Sequence, residues 1–403
     1  MAAAAESGRK AGVIPSLNTP KQAMSRIRIP AAWMRGGTSK GLFFLAADLP
    51  AEPAARDALL VRAIGSPDPY GKQIDGVGGA TSSTSKVVIV SPSQRSDCDV
   101  DYLFGQVPVG GSAIDWSGNC GNLTAAVGPF AIERGLLACP RDGIAMVRIW
   151  QANIGKHIIA HVPMHDGAVR EDGDFLLDGV AFASAPIRLE FLSPGGGALF
   201  PAGGPITRLA PDGQPPVEAT LINAAIPLVL VEAAALGADC AASQAQLNRD
   251  AALLARCEAL RVAGAVAMGL AGSSTEAAAR GHTPKIALLA PPQSYVAADG
   301  RHVEARAQDL TVRVLSMGVV HHAIPGTAAI GLAAAASIPG TLAARQLRGS
   351  VTRLLRIGHP SGRVEVGVST RCEGGDWRLD KAEMQRSARL LMDGVVCVPG
   401  VRA

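Results

Sequence analysis

The chain contains few aromatic residues and no run of basic residues. Phe, Trp and Tyr make up 4% of its 403 residues, and the formal net charge of +4 is spread along the sequence. Nucleic-acid-binding proteins combine a basic patch with stacking aromatic side chains, so we expect no nucleic-acid partner. The 46 glycines favour close approaches of the backbone over large aromatic pockets.

The sequence also lacks patterns for metal binding and membrane insertion. Its seven cysteines are scattered, without a CxxC pair or a Cys/His cluster, which argues against a structural zinc site and for reduced thiols in the cytoplasm. The N-terminal MAAAAESGRKAG lacks the apolar core of a signal peptide. The best membrane candidate, LINAAIPLVLVEAAALGA from Leu221, is interrupted by Asn223, Pro227 and Glu232. We interpret it as a buried strand that leads into a helix, and we expect no membrane contact.

Length and composition predict a folded chain of two domains. The chain is 48% hydrophobic and 18% charged, as in globular proteins, and it is longer than a single core usually grows. Residues 1–26 are polar and turn-rich, so we expect a flexible leader there. The Gly/Pro-rich segment SPGGGALFPAGGP, residues 193–205, predicts a junction between the domains.

Each half contains several strands and, late among them, a helix of small residues. The predicted strands are KVVIV, MVRIW and KHIIAHVPM in the first half and ATLINAAIPLVLV, KIALLAP, DLTVRVLSM and RVEVGVS in the second. The predicted helices are ARDALLVRAIG and NLTAAVGPFAIERGL in the first half and GTAAIGLAAAASIPG in the second. Small residues on every side of a helix allow a sheet to wrap around it. We therefore expect two curved sheets, with the N-termini of their enclosed helices facing each other across a cleft.

The stretch DWSGNCGN, residues 115–122, sets Cys120 between two Gly-Asn pairs where the first small-residue helix begins. A helix N-terminus presents unpaired N–H groups and a partial positive charge, which stabilise carboxylates and thiolates. Cys120 is therefore a candidate for a reactive thiol that faces a small anionic acid. The other interpretation is a small residue that is merely buried.

Two further loops carry candidate polar groups. GKQIDGVGGATSSTSK, residues 71–86, does not have the spacing of a phosphate-binding loop, but it is rich in hydroxyl groups and ends in Lys86 at the start of a strand. A lysine in a dry cleft can lose its charge and act as a general base; the alternative is a solvated lysine at a strand end. MRGGTSKG places Arg35 and Ser39 around a glycine pair. These residues are suited to binding a carboxylate; the alternative is an ordinary basic turn.

Histidines occur in two stretches of the second half. His321 and His322 are adjacent, and neighbouring residues in a strand or helix point in different directions, so we expect no shared metal. His359 precedes a proline in IGHPSG and either fixes its loop or contacts a ligand. No third metal ligand is apparent in the sequence.

Eight stretches follow one another along the chain: MRGGTSKG, IGSPDPYGKQIDGVGGATSSTSK, VDYLFGQV, DWSGNCGN, MVRIWQANIGK, HTPK, SMGVVHHA and GHPSG. In order and spacing they resemble the PrpF family, the 2-methylaconitate cis-trans isomerases, from about residue 27 to the C-terminus. The resemblance implies an α+β fold of two pseudo-symmetric domains like those of diaminopimelate epimerase, each a curved, mostly antiparallel sheet around a central helix. It also implies that residues 385–403 return to the first domain, 27–205, which leaves 206–384 as the second.

The resemblance further implies the site residues. The family pairs a lysine with a cysteine, and these map onto Lys86 and Cys120; the lysine removes and returns an allylic proton and the cysteine assists. Epimerases of the superfamily use two opposed cysteines, but the second helix here starts at Gly326 and Thr327 without a thiol, so we do not expect two-cysteine racemisation. The implied substrate-binding residues are Arg35, Ser39, Ser85, Gly118, Asn119, Gly121, Asn122, Gly326, Thr327 and Ser361.

The implied activity needs no cofactor and no metal. The substrate would be the small tricarboxylic acid trans-2-methylaconitate, in the methylcitrate route of propionate catabolism, and the protein would be a cytoplasmic homodimer with a functional link to a methylcitrate dehydratase. Relatives that act as 4-oxalomesaconate tautomerase or 3-methylitaconate isomerase share most of the loop motifs and give an alternative substrate. An accessory role as a binding partner of an iron–sulfur methylcitrate dehydratase is the alternative of a different class.

Overall fold

The structure is a computed structural model that describes residues 26–211, 213–347 and 354–400. Residues 1–25, where we expected a leader, lie outside the described residues, and Arg26 already begins the first strand. The strands of the first half are β1 (Arg26–Gly36), β2 (Ser39–Leu45), β3 (Lys86–Pro92), β4 (Val100–Gln106), β5 (Gly143–Gln151), β6 (Lys156–His165), β7 (Ala168–Val169) and β8 (Ile187–Leu192).

The second half contributes the remaining strands and most of the helices. Its strands are β9 (Thr207–Leu209), β10 (Val217–Asn223), β11 (Pro227–Glu232), β12 (Lys285–Ala290), β13 (Tyr295–Val296), β14 (His302–Val303), β15 (Leu310–Ser316), β16 (Val319–Val320), β17 (Leu354–His359), β18 (Gly362–Glu373), β19 (Asp376–Arg386) and β20 (Ala388–Pro399). The helices along the whole chain are α1 (Pro53–Ile64), α2 (Thr124–Glu133), α3 (Gln244–Leu247), α4 (Ala251–Ala267), α5 (Ser274–Ala279), α6 (Gly326–Ala336) and α7 (Leu342–Arg345).

Apart from the β13–β14 hairpin, these strands join into one long sheet that runs through both halves. From one edge the main order is β20, β1, β2, β3, β4, β5, β6, β8, β19, β18, β17, β15, β12, β11, β10 and β9. The halves meet where β8 pairs antiparallel with β19, with Phe191 opposite Ala382. The last strand, β20, pairs with β1 in the first half along its whole length.

Each half of the sheet curls around one helix of small residues. In the first half, β1, β5, β6, β8 and β20 all pack against α2, and a Cβ added at Gly128 would lie only 2.8 Å from Val162 Cγ2. In the second half every residue of α6 is buried, and a Cβ at Gly331 would lie 2.5 Å from Leu228 Cδ1. Larger side chains would push the strands away from the helices. The predicted α+β fold, with each sheet wrapped around a central helix, is confirmed.

One local expectation was wrong, and one helix was not predicted. The stretch from Leu221 does not run from one strand into a helix: Asn223 and Pro227 face each other at the end of a hairpin between β10 and β11, and only a 3₁₀ turn, Ala233–Leu236, follows. Proline cannot donate to a sheet ladder, which favours a strand end at that point. The sequence interpretation also missed α4, whose Ala-rich sequence has only a weak apolar stripe. No helix within the described ranges has both the length and the apolar character needed to cross a membrane.

Candidate active site

The helices α2 and α6 meet head to head in the middle of the molecule. A Cβ at Gly121, just before α2, would lie 3.1 Å from the backbone N of Thr327, and one at Gly326 would lie 3.2 Å from the carbonyl carbon of Gly121. Only glycine allows the two chain segments to come this close. The partial positive charges of two helix N-termini are therefore directed at the same small volume.

A cavity of about 30 Å³ lies at this meeting point. It is lined by Ser39, Ser82, Lys86, Gln106, Asn119, Cys120, Gly121, Asn122, His282, Lys285, Ser316, His321, Pro325, Gly326 and Thr327. Both halves of the chain contribute to the lining, which contains no Asp or Glu. Because two lysines and two helix N-termini surround it, the cavity is suited to an anion.

Lys86 is the first residue of β3, and its side chain is buried. Its Nζ donates a hydrogen bond to Gln106 Oε1 at 2.7 Å and lies 4.8 Å from the centre of the Phe104 ring. Burial lowers the pKa of the Lys86 amine, and the nearby Cys120 thiol acts in the opposite direction. The interpretation of Lys86 as a solvated strand-end residue is therefore wrong, and the side chain has the surroundings that a lysine base requires.

Cys120 lies at the start of the turn that leads into α2. Its carbonyl accepts a hydrogen bond from the backbone N of Thr124 at 3.0 Å, and its Sγ accepts one from the backbone N of Leu123 at 3.4 Å. The thiol thus binds a backbone N–H next to the helix start, as the side chain of a capping residue does. Tyr102 donates its hydroxyl hydrogen to the Cys120 carbonyl at 3.4 Å, and this hydrogen bond helps to hold the turn in place. The thiol lies on the same cavity wall as Lys86.

Two polar atoms on the cavity wall have no hydrogen-bond partner among the described residues. They are Asn119 Oδ1 and His282 Nε2, and both are buried. Burial, followed by the charges of Lys285 and Lys86, holds the pKa of His282 well below its ordinary value, so this imidazole is neutral. Because buried polar atoms are nearly always hydrogen-bonded, both atoms are candidates for a hydrogen bond to a ligand or water.

The structure adds a buried arginine that the sequence interpretation missed. Arg386, the last residue of β19, donates from Nε to Asn122 Oδ1 at 3.1 Å and from Nη1 to the carbonyl of Gln385 at 3.0 Å. A Cβ at Gly326 would lie 3.5 Å from its Nη2, so the guanidinium reaches the start of α6. Burial lowers the pKa of Arg386 to about 10. Nothing in the local sequence MQRSAR distinguishes this residue from a surface arginine.

Most of the substrate-binding residues implied by sequence resemblance lie on the cavity wall. They are Ser39, Asn119, Gly121, Asn122, Gly326 and Thr327. Asn122 also donates from Nδ2 to Thr38 Oγ1 at 3.0 Å, which ties the turn after β1 to the start of α2. A Cβ at Gly36, next to that turn, would lie 2.7 Å from the Asn122 carbonyl oxygen. The glycines of MRGG therefore allow the end of β1 to lie close to the backbone before α2.

The other four implied residues are not part of the lining, because each has a different structural contact. Arg35 donates from Nη1 to the carbonyl of Ser387 at 2.9 Å, and Ser85 donates to Gln73 Oε1 at 2.8 Å. Ser361 donates to the carbonyl of His322 at 2.5 Å. Gly118 leaves room for His282, whose Nε2 would lie 2.5 Å from an added Cβ. These residues contact the chain segments around the cavity rather than the cavity itself.

The adjacent histidines do not point apart, contrary to expectation. His321 Nε2 and His322 Nδ1 lie 3.2 Å and 3.3 Å from Ser83 Oγ, and their rings stack at 4.7 Å. They follow β16 in a segment that is neither strand nor helix, so the alternation of a strand does not apply. His359 accepts a hydrogen bond from the backbone N of Ser361 at 3.3 Å, and burial lowers its pKa to about 3. It fixes its own loop.

Two other places in the described residues bring polar side chains together. Asp97, Cys98 and His157 bring possible metal-ligand atoms within 4.8 Å of one another, but they are separate from the cavity. A groove of about 780 Å³ lies over β18 and β19, but three of its cations, Arg188, Arg301 and Lys381, already pair with acidic groups. The central cavity combines two helix N-termini and two buried lysines that form no ion pair in the part of the chain that the structure describes, so we assign the chemistry to it.

Comparisons with known proteins identify the family of the chain. Residues 26–399 match the family described as PrpF protein. A 2-methyl-aconitate isomerase from Shewanella oneidensis is 53% identical over 387 residues, which is 93% of this chain and 98% of that protein. One from Cupriavidus necator is 52% identical over 388 residues, with the same coverage of 93% and 98%. A solved structure of methylitaconate-delta-isomerase matches with a TM-score of 0.75 at 34% identity and covers 94% of this chain and 98% of that one.

Proposed function

The chain belongs to the PrpF protein family, and from this premise we propose that it is an isomerase that converts trans-2-methylaconitate to the cis isomer. The observation that carries the proposal is the central cavity, which Lys86 and Lys285 line and beside which Arg386 is buried at the start of α6, each with neutral oxygens as its hydrogen-bond acceptors. The Lys285 and Arg386 cations and the two helix N-termini complement the carboxylates of this substrate, which leaves the Lys86 amine to act as the base.

The proton chemistry follows from the substrate itself. Its CH₂ group lies beside one carboxylate and is conjugated, through the double bond, with a more distant one. When the neutral amine of Lys86 takes a proton from this carbon, the electron pair of the C–H bond spreads over the allyl system and its carboxylates. The former double bond then rotates more easily, and return of the proton from the Lys86 ammonium to the same carbon completes the exchange of cis and trans.

The surrounding groups stabilise the extra negative charge of this intermediate. The N–H groups at the start of α2 and α6 lie at the cavity, and the Arg386 guanidinium reaches the start of α6. Groups that are oriented before the reaction need no reorganisation when charge develops, which is the largest contribution in many enzymes.

We expect replacement of Cys120 by serine to lower kcat by about 10²-fold. Serine keeps an oxygen acceptor for the Leu123 N–H that Sγ accepts at 3.4 Å, so α2 should still start normally, but the hydroxyl is a far weaker acid than the thiol. Isomerisation and solvent exchange should be measured with the purified variant beside Cys98→Ser, a buried cysteine outside the cavity. An unchanged rate in Cys120→Ser would exclude an acid/base role and leave only substrate positioning.

The experiment that tests the proposal is proton NMR of the purified protein with trans-2-methylaconitate in D₂O. We expect deuterium to replace the CH₂ protons while the cis isomer appears. If deuterium exchanges and the product has its double bond at a new position, the protein is an allylic Δ-isomerase. If deuterium exchanges without any product, the natural substrate is a related acid such as 4-oxalomesaconate. No exchange at all would contradict catalysis and favour an accessory role beside a methylcitrate dehydratase.

We also propose a homodimer in the cytoplasm, with a functional link to a methylcitrate dehydratase that supplies or uses the aconitate-type acid. The reducing cytoplasm suits the seven cysteines of the sequence, which show no disulfide framework. Light scattering after size-exclusion chromatography gives the mass of the assembly, to be compared with the 41.2 kDa chain.

A further inference from the structure

Lys285 takes the place of Lys86 in the second half of the molecule. Lys86 opens β3, which pairs in parallel with β2 and antiparallel with β4. Lys285 opens β12, which pairs in parallel with β11 and antiparallel with β15. In each half the antiparallel neighbour is the last strand of more than two residues before the enclosed helix, α2 or α6. The two lysines therefore stand at equivalent points of the two half-sheets.

The contacts of the two side chains are equivalent as well. Lys86 is directly opposite Gln106 in the ladder and donates to its Oε1 at 2.7 Å. In the second half the register of Ile286 with Leu315 places Ser316 opposite Lys285, and Lys285 Nζ donates to Ser316 Oγ at 2.8 Å. Each lysine is thus held by a neutral side chain on the neighbouring strand, with its amine toward the same cavity.

The groups around Lys285 leave its charge without a balancing carboxylate at contact distance. Its other acceptor is the carbonyl of His282 at 3.3 Å, and the neutral imidazoles of His282 and His321 line the same cavity. Burial and then the charge of Lys86 lower the pKa of Lys285 to about 7; Cys120 and Asp115 raise it and Arg261 lowers it by smaller amounts. Two ammonium groups in one cavity disfavour each other, so one of them readily loses its proton.

We propose that Lys285 is a second catalytic lysine, which binds a substrate carboxylate as an ammonium and whose positive charge favours the neutral amine on Lys86. The inference rests on the proposed function for the identity of the substrate, whereas the coupling between the two lysines requires no substrate. Its chemical basis is that a nearby cation is an established way to keep a lysine in its nucleophilic or basic form.

The charges balance at each step. Before the reaction, the Lys285 ammonium faces a carboxylate and Lys86 is neutral. The C–H bond breaks, an N–H bond forms on Lys86, and the electron pair remains on the allyl carboxylate system. The second ammonium that appears on Lys86 is then offset by the additional negative charge of the substrate, and return of the proton restores the starting state. No oxidant, reductant or further reactant takes part.

The coupling can be measured without substrate, by NMR titration of protein labelled with ¹³Cε-lysine. The sequence has eight lysines, and the signals of Lys86 and Lys285 are assigned by their loss in Lys86→Met and Lys285→Met. We expect Lys285→Met to raise the pKa of Lys86 and Lys86→Met to raise that of Lys285 by the same amount, because coupling between two sites is reciprocal. Lys72→Met, at an exposed lysine, should change neither. An unchanged titration of the remaining lysine in both cavity variants would overturn the proposal.

Activity gives a second, separate test. Lys86 is active only as a neutral amine, so a higher pKa in Lys285→Met moves the acid limb of kcat/KM to higher pH. We expect about a tenfold loss at pH 6 that is partly recovered at pH 9, together with about a tenfold rise in KM from the lost carboxylate contact. A loss that is equal at every pH would contradict the inference and show a structural role. The two proposals can fail separately. If the titrations of the two lysines are coupled but the wild-type protein exchanges no protons of 2-methylaconitate, the proposed function is wrong and the coupling between Lys86 and Lys285 still stands.

Discussion

Replacement of Lys86 by methionine is expected to lower kcat by about 10² to 10⁴-fold, the usual contribution of a positioned general base. Methionine keeps the length and apolar bulk of the side chain beside Phe104 but has no group that can accept a proton. Because the same proton transfer starts both processes, deuterium exchange at the substrate CH₂ group should fall by the same factor as isomerisation. Proton NMR in D₂O measures both rates in one sample.

The control for this variant is Lys72→Met, the same substitution at an exposed lysine of the preceding loop, which should retain wild-type rates. Thermal unfolding should show that Lys86→Met is folded and at least as stable as the wild type, because the substitution removes a buried amine whose charged form is disfavoured by desolvation. A folded Lys86→Met protein with wild-type turnover would be incompatible with Lys86 as the base.

Replacement of Arg386 by methionine is expected to raise KM by about 10²-fold and to abolish stabilisation by tricarboxylates. The guanidinium is buried, its acceptors are the neutral oxygens of Asn122 and Gln385, and burial lowers its pKa to about 10. A cation held in this way is costly without an anionic partner, so a carboxylate should bind there strongly. Tricarballylate, a saturated tricarboxylate, should stabilise the wild type by about 2.7 kcal/mol at one hundred times its Kd and have little effect on the variant.

The matched control is Arg389→Met, at an exposed arginine of the next strand. Thermal unfolding with and without tricarballylate distinguishes the two positions without any measurement of activity. Equal stabilisation of wild type and Arg386→Met by the tricarboxylate would show that the guanidinium does not bind substrate and that its role is only to hold Asn122.

The sequence was sufficient for those parts of the fold that depend on local pattern. The small residues of α2 and α6 predict enclosed helices because a sheet can approach them from every side, and the strands from Lys86 and Lys156 follow from their apolar residues. The hairpin after Leu221 and the helix from Ala251 were missed. Which secondary structure these two segments adopt depends on packing against other strands rather than on local preference.

The site was only partly accessible from the sequence for a related reason. Cys120 stands out because glycines flank it at a helix start, and Lys86 because it ends a hydroxyl-rich loop. Arg386 and Lys285 have no such neighbours. What distinguishes them is burial away from any acidic partner, a property that exists only after strands more than a hundred residues apart along the chain have come together.

The close contact between Gly121 and Gly326 also determines how the protein can turn over. A cavity of about 30 Å³ has room for a few water molecules, far less than a tricarboxylic acid occupies. We therefore expect the two helix ends to move apart when the acid enters and again when the product leaves. The β8–β19 pairing and Ser387, held by Arg35 between β19 and β20, connect the two halves, and we expect this opening to take place about them. The frequency of opening sets an upper limit on kcat, so substitutions along this connection can slow the enzyme without touching its acid/base groups.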